Sequence, residues 1–543
     1  MLCRQLYEVQ EKYGYVPEKE MRELARRNGI PVYEVFGVAT FYPGYRTTPP
    51  PKASINVCRD FPCHLRGAPK LRQKIEDLVR ESGVPGIELG GVSCLGQCDG
   101  SPAVQINDAS YARKSEDEIL KLVQEAIAGK KIAEQHFGPM AKGPFKTNPY
   151  AEGEKYGALK ALAKSKDFEG VIAQLKAANL KGMGGAGFPT GVKWEGVRKC
   201  QNDEKYVVCN ADEAEVATFK DREIMKSLPH LVVEGMAIAA LVTGASQGYI
   251  YIRHEYHDQI HSMEEEIKRA REAGILGKDC CGSGQKYDME VFVSPGGYVQ
   301  GEESALLEAI EGKRGQPRVK PPFPVFVGLW GKPTVINNVE TLAYVPAILV
   351  KGVDWFKGQG KNGSEGLKWI GVSGHVKNPG VFEVPMGTTY REAIYELAGG
   401  ILGDKKLKGF APSGPSGGFL PASMVDLSMD WKKMADAGSM LGSGAIVAIA
   451  EGTDLVELAL NATQFYRNES CGKCVPCRVG SQKLVDLLHR MAKKEGKRED
   501  FETIQRLSDT MLMTSICGLG QVVSAPIDSV LKHFKGEVDA KIK

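Results

Sequence analysis

Three cysteines in the run ESCGKCVPCRVG, at Cys471, Cys474 and Cys477, constrain this chain more than any other stretch. Their spacing gathers three thiolates around one point, and Cys517 can complete the set from a distant turn. Thiolates are soft ligands that suit iron and its sulfide clusters, and a compact C-x2-C-x2-C with a remote fourth cysteine is a common 4Fe–4S arrangement. A structural zinc site is the competing reading, but zinc ribbons usually show two separated C-x2-4-C pairs. The segment is therefore expected to carry single electrons, which raises the question of what feeds it.

At 543 residues the chain has room for three or four domains with ample core. A formal net charge of +3 gives no support for a nucleic acid or other polyelectrolyte partner. The N-terminal MLCRQLYEVQEKYG reads as an amphipathic helix, not the apolar stretch of a secretory signal. The longest nearly apolar segment, Leu231 to Ala245, contains Glu234 and is too short to span a bilayer, so a buried core helix is expected. These features predict a cytoplasmic protein that meets a membrane only through partners. Thirteen cysteines in such a chain argue against a disulfide framework. Eight fall into two cluster-like sets, and Cys3, Cys200, Cys209, Cys280 and Cys281 are expected to be buried or inert.

The periodicities predict an α/β multidomain chain. Residues 1–50 read as a helical segment ending at the prolines 49–51, and residues 51–130 as a small α/β domain with strands SINVC and AVQIN. Residues 131–157 are rich in Gly, Pro, Lys and Asn and read as a linker. A larger α/β unit spans 158–365, with strands KYVVCNA, GYIYIR and MEVFVS each followed by helical sequence. Residues 366–451 are rich in strands and turn signals, and 452–543 return to helical pattern around the cysteine triplet.

In the small α/β domain, Cys58 and Cys63 pair with Cys94 and Cys98, each pair where a strand gives way to a turn. Two thiolates per loop, one pair for each iron, suit a 2Fe–2S centre better than any common zinc spacing. Further on, Gly182 to Gly191 packs five glycines into ten residues, with Lys193 just after. Glycines let a backbone approach a phosphate or flat ring, and a lysine offsets phosphate charge, although the bare pattern also suits a tight structural turn. Acids and amides are expected at strand tips: Asp212 and Glu213 after Asn210, Glu302 and Glu303 after a strand ending at Gly301, and Asn337 with Asn338. Ligands of α/β sheets bind at such carboxyl ends.

Taken together, the strings GGAGFPTG, CNADE, GYIYIR, GEESALLEAIEG, GLWGKPTVINNVETLA and ESCGKCVPCRVG resemble the NADH dehydrogenase module of respiratory complex I. Residues 1–130 resemble its small 24-kDa-type 2Fe–2S subunit, with a thioredoxin-like domain. Residues 150–543 resemble its 51-kDa-type flavoprotein subunit, with a Rossmann-like FMN-binding domain, a ubiquitin-like β-grasp domain and a C-terminal helical 4Fe–4S bundle. The same pair recurs in the diaphorase parts of NAD-linked hydrogenases and formate dehydrogenases. The resemblance implies FMN held by Gly182, Gly184, Lys193, Asn210, Asp212, Tyr298, Gly301, Glu302, Asn337 and Asn338. It implies a nicotinamide nucleotide near Glu213, Glu303 and Lys320, its adenine between Phe188 and Phe323. Met183 replaces the family's usual Arg, Gly196 an aromatic, and EVATFKDR an acidic-proline stretch; the first two bear on nucleotide affinity and on the choice of NAD over NADP.

The implied function is an NADH-oxidising or NAD-reducing diaphorase subunit. In it FMN exchanges hydride with nicotinamide and single electrons with the clusters, and no side chain need act as general acid or base. Partners would be other iron–sulfur subunits of a hydrogenase, formate dehydrogenase or complex-I-like assembly. Two alternatives stand beside it. One is a non-catalytic electron relay with a decayed nucleotide site, which tightly bound FMN and NADH–ferricyanide activity would sink. The other is a bifurcating flavoprotein with ferredoxin as co-substrate, which ferredoxin-dependent NADH oxidation would support.

Overall fold

The computed structural model describes residues 1–543 and contains three β-sheets. The central sheet has β5 (Tyr206–Ala211), β6 (Gln247–Arg253), β7 (Asp288–Ser294) and β8 (Thr334–Asn338) in the order β7-β6-β5-β8, all parallel. All-parallel sheets are covered on both faces, which explains why VVCNA and GYIYIR are apolar almost without alternation. On one face Val207, Cys209, Ile250 and Ile252 join a core with the helices Pro229–Thr243 and Val339–Lys351. The former helix is apolar all round and buried from His230 to Thr243, as expected for the segment around Glu234.

The other face is covered by the N-terminal helices Leu2–Tyr13, Glu18–Asn28 and Val32–Ala39. Leu2, Leu6, Met21, Leu24, Val35 and Val38 share a core with Val208, Tyr249, Tyr251, Phe292 and Ile336. Each such aliphatic side chain contributes about 1.5–3 kcal/mol when fully buried. The first fifty residues are thus a layer of the central unit as well as the lead-in to the small domain.

That domain is a sheet of β1 (Ala53–Cys58), β2 (Ile87–Val92), β3 (Val104–Ile106) and β4 (Ala109–Tyr111) in the order β2-β1-β3-β4. β1 and β2 are parallel, joined through the helix Ala68–Ser82, and β3 and β4 return antiparallel. The third sheet orders β9 (Leu367–Gly374), β10 (Gly380–Pro385), β11 (Leu407–Ala411), β12 (Leu420–Pro421) and β13 (Ala445–Ala450) as β10-β9-β13-β11-β12. Helices from Leu455–Glu469 to Lys535–Asp539 close the chain. No single helix is long and apolar enough to cross a membrane.

Residues 130–156 hold no helix or strand, yet they are strapped down rather than free. Four carboxylates from different elements accept from the strap or its C-terminal edge. Phe137 N donates to Asp258 (2.8 Å), Met140 N to Glu223 (2.6 Å), Lys146 N to Glu383 (2.6 Å) and the Tyr150 hydroxyl to Glu234 (2.7 Å).

One expected strand is shorter than its apolar run implies. MEVFVS stops at Ser294 rather than Gly301, because Pro295 follows and Gly296 and Gly297 turn the backbone to φ 95° and 102°. A short 3-10 turn, Tyr298–Gly301, then leads into the helix Glu303–Ile310. Glu302 is the N-cap of that helix, not a strand tip, and accepts from Ser304 N and Ala305 N, each at 2.9 Å.

Candidate functional site

Parallel pairing puts the carboxyl ends of the four central strands along one edge. The glycine-rich loop lies against that edge. Gly182 N donates to Phe188 O (2.9 Å) and Gly187 N to Gly182 O (3.2 Å), which closes the loop before the helix Thr190–Lys199. A Cβ at Gly184 would stand 3.0 Å from Asn338 Cβ, and one at Gly187, with φ 67°, would stand 2.8 Å from the Trp431 ring. Gly185, at φ 132°, has nothing within 4 Å of such a Cβ and faces open space. The loop therefore presents bare backbone, the form that lets a phosphate or ring come close.

The polar groups expected here are linked contact by contact. Asn210 Nδ2 donates to Gly301 O (2.8 Å), and Asn338 Nδ2 to Asp221 Oδ2 (2.6 Å). Asn337 Oδ1 accepts from Trp194 Nε1 (2.8 Å). Lys193 donates to Ile336 O (2.8 Å) and stands 3.9 Å from Glu303; burial lowers its pKa, with Glu303 opposing. Lys320 bridges Glu302 and Glu303 at 2.7 Å each. Asp212 Oδ2 is buried without a partner, and burial raises its pKa to about 8. A Cβ at Gly301 would lie 3.2 Å from Asp212 O. Tyr298 packs its ring on Phe465 at 5.1 Å, beside the same edge. Phe188 and Phe323 are both about half exposed (50% and 49%).

Glu213 stands apart. It accepts from Asp221 N (2.7 Å), Arg222 N (3.0 Å) and the Tyr256 hydroxyl (3.1 Å), so it turns inward and caps the helix Lys220–Ser227. The departure at Gly196 has a local cause, since a Cβ there would meet Val325 Cγ1 at 2.8 Å. Met183 is buried, and its N–H donates to Thr341 Oγ1 at 2.8 Å.

Both cysteine quartets assemble. Cys58 ends β1, Cys63 lies in the helix Phe61–Leu65, and Cys94 and Cys98 follow β2. All four are buried, with Cys94 Sγ 3.3 Å from Cys98 Sγ. Contacts with Cys63 and Cys94 raise the Cys58 thiol well above its usual value, which ties the two pairs into one group. In the second quartet Cys474 caps the helix Val475–Ala492, Cys477 lies in its first turn, and Cys517 caps Gly518–Val522. Burial pushes Cys477 up to about 12 and Cys517 to about 11, so binding iron must displace protons. Lys473 Nζ donates to Pro317 O (2.6 Å), which fixes this loop to the segment after Glu302 and Glu303. All-sulfur donor sets of this kind fit iron–sulfur clusters.

The join between these parts was not visible in the sequence. Arg222, 1% exposed, donates to Gly96 O (2.6 Å), Gln97 Oε1 (2.8 Å) and Asp99 Oδ2 (2.8 Å) in the second thiolate loop of the small domain. Arg253, at the end of β6, donates to Cys94 O (2.6 Å) and Glu213 O (2.8 Å). The only signal was a strand ending in arginine and the string KDR, neither of which names a partner. A cavity of about 1270 Å³ opens at this junction, and Ser93, Cys94, Asp212, Tyr298, Glu469 and Cys471 share its wall.

Profiles of known families cover most of the chain. They are the thioredoxin-like [2Fe-2S] ferredoxin (residues 1–126), the Nuo51 FMN-binding domain (175–347), the SLBB domain (370–420) and the NADH-ubiquinone oxidoreductase-F iron-sulfur binding region (457–541). An F-type subunit of NADH-quinone oxidoreductase from Rhizobium meliloti (strain 1021) is 44% identical over 394 residues, 73% of this chain and 94% of that protein. The NADP-reducing hydrogenase subunit HndC of Solidesulfovibrio fructosivorans is 43% identical over 372 residues, 68% of this chain and 76% of that protein. A crystal structure of an NAD+-reducing [NiFe]-hydrogenase in the H2-reduced state matches with a TM-score of 0.89 at 29% identity, covering 99% of this chain and 93% of the other. Fold and site thus define an NAD-linked oxidoreductase whose cofactors are FMN, a 2Fe–2S cluster and a 4Fe–4S cluster. The chain belongs to the family of F-type subunits of NADH-quinone oxidoreductase, with a thioredoxin-like 2Fe–2S ferredoxin joined ahead of it.

Proposed function

We propose that this chain oxidises NADH, or reduces NAD in reverse, and exchanges the electrons with iron–sulfur subunits of a larger cytoplasmic complex. FMN, when bound, would supply hydride exchange with nicotinamide and single-electron exchange with the clusters. The chain's own residues supply binding and placement. Gly182, Gly184 and Gly185 bring bare backbone to the ligand, and Lys193 sets a cation at the strand edge. The unpartnered Asp212 Oδ2 is available to a ribityl hydroxyl, and Asn210, Tyr298, Gly301, Glu302, Asn337 and Asn338 complete the cradle. No side chain needs to act as an acid or base.

For the nucleotide we assign Phe188 and Phe323 to the adenine, with Glu303 and Lys320 beside the ribose. Lys320 bridges Glu302 and Glu303 and Lys193 also faces Glu303, so two acids stand against two cations and their charge alone does not choose between NAD and NADP. Glu213 is left out because its carboxylate is committed to Asp221 N and Arg222 N. Cys58, Cys63, Cys94 and Cys98 would hold the 2Fe–2S cluster, and Cys471, Cys474, Cys477 and Cys517 the 4Fe–4S cluster. Electrons leave past exposed Val475, Val479, Leu512, Met513 and Ile516, an apolar surface beside Cys474 and Cys517 that suits a partner iron–sulfur subunit. Domain limits follow the same division: 1–50, 51–130, a strap to 157, then 158–365, 366–451 and 452–543.

The observation that carries this reading is the shared cavity wall, where Asp212 and Tyr298 at the strand edge meet Cys94 and Cys471 of the two quartets. The test is an anaerobic NADH titration of the iron-replete protein, followed by visible absorbance and EPR. Flavin bleaching with cluster signals is expected. Clusters reduced by dithionite but by neither NADH nor NADPH would overturn it in favour of the relay.

A further inference from the structure

The helix Leu455–Glu469 runs straight into the 4Fe–4S cysteine run, and two of its side chains leave it to hold the other quartet. Asn461 Nδ2 donates to the carbonyl of Arg59 (2.8 Å), the residue after Cys58. Glu469, the last residue of the helix, accepts from the Ser93 hydroxyl beside Cys94 through Oε1, and from Tyr298 N (2.8 Å) through Oε2. Cys471 lies two residues further on. One carboxylate thus touches the loops of the 2Fe–2S quartet and the flavin cleft, and is tied by the chain to the 4Fe–4S quartet.

Two features argue against an incidental contact. No lysine or arginine pairs with Glu469, so its strong contacts are those to Ser93 and Tyr298. An acid at the end of a helix also faces the negative pole of the helix dipole, so its helix gives no reason for it to be there. The helix itself is a firm base, with Leu455, Val456, Leu458, Ala459, Phe465 and Tyr466 in the main core.

We infer that Glu469 is a positioning residue that holds the Cys94 loop and the Tyr298 loop in fixed register with the 4Fe–4S loop. It is neither a ligand nor a catalytic group. The inference rests on the cofactor assignment proposed above, and its test can fail independently of that assignment. Wild-type FMN, iron and sulfide content and NADH-driven bleaching judge the cofactors; hydrogen exchange judges Glu469.

The variants are Glu469→Ala, which removes both contacts, and Glu469→Gln, whose amide can accept from Tyr298 N and donate to Ser93. In the full-length protein, E469A is expected to speed exchange in residues 91–98 and 296–300 together, by about ten- to hundredfold for lost bonds to a charged acceptor. Freeze-quench EPR is expected to show NADH-driven 2Fe–2S reduction slowed by about tenfold or more relative to wild type, as small misplacements cost rate steeply. E469Q is expected to restore both readouts. Loosening of one loop alone, unchanged exchange in E469A, or an E469Q that behaves as E469A would overturn the inference. If E469A does not fold, Ser93→Ala cuts one arm and must loosen 91–98 alone; unchanged exchange there overturns the inference as well.

Discussion

Replacing Arg222 by alanine should free the Cys94–Asp99 loop from the central unit while leaving both folded. The guanidinium is 1% exposed and uses one fork on Gly96 O and Gln97 Oε1 and another on Asp99 Oδ2, with Nε 3.3 Å from Glu223. The Asp99 side chain is 0% exposed and would keep only Arg113, which is itself 24% exposed. A buried ion pair is weak evidence of net stability, because desolvation offsets attraction, but removing one partner strands the other and costs about 3–5 kcal/mol. If that cost falls on the local opening of the loop, exchange of its amides accelerates by about two to nearly four decades. Hydrogen exchange of residues 94–100 by mass spectrometry reads this directly. A global melting temperature does not, since a chain of several units need not unfold in two states. Arg222→Lys should fall in between, because a compact ammonium cannot span three acceptors held by a planar fork. If R222A exchanges within about threefold of wild type, the clamp is not what holds the loop and the reasoning from buried pairing fails.

Three further outcomes are expected. Glu234 is fully buried, and burial raises its pKa from 4.5 to about 7, so the folded state holds the proton more tightly than the unfolded one. That contribution is complete below about pH 4.5 and lost as pH rises through 7, about 3 kcal/mol in all. Glu234→Gln should therefore gain stability relative to the wild type as pH rises from 4 to 8, read in calorimetry as an upward shift of the transition that contains the central unit; a pH-independent difference would refute the assignment. Cys474→Ser should abolish the 4Fe–4S EPR signal and stop transfer from the flavin to that cluster, while the 2Fe–2S signal survives under dithionite, and unimpaired reduction of every centre would count against it. Phe323→Ala should weaken NADH binding by about tenfold or more through lost base stacking, and Glu303→Gln should change affinity too, both with FMN content unchanged. Loss of flavin from either variant would mean the residues have been divided wrongly between the two ligands.

What the sequence disclosed and what it hid divide along chain separation. Ligand chemistry is written locally: the C-x2-C-x2-C run and the two loop pairs are legible as candidate ligand sets from spacing alone, and Cys94 and Cys98 stand 3.3 Å apart. The central strands were legible because a buried parallel strand is a short apolar run. The expected run to Gly301 passes over Pro295-Gly296-Gly297, a turn signal in its own right, where the proline and the positive φ of the two glycines end the strand. Glu213 and Glu303 look alike in sequence, each following an acid near an expected strand tip. They differ in a helix start that only one of them caps. The contacts of Arg222 with Gly96, Arg253 with Cys94 and Ser93 with Glu469 span 126, 159 and 376 residues, beyond the reach of any periodicity.

Those long-range contacts change the meaning of the fusion. A ferredoxin tethered by a flexible linker would sample many positions, and its cluster would meet the flavin only part of the time. Here the connection is a strap held by Asp258, Glu223, Glu383 and Glu234, so its length does not set the reach of the small domain. The small domain also sends Phe61, Cys94 and Cys98 into the core that the helix Leu455–Glu469 shares and against which Tyr298 packs. Two buried arginines grip the backbone of its second thiolate loop, and one acid joins that loop to the flavin side. Buried side-chain contacts of this kind hold a site in one geometry, which is what a rigidly built functional site requires. Side-chain chemistry at the junction, and not the length of the covalent link, therefore sets the geometry of the two parts.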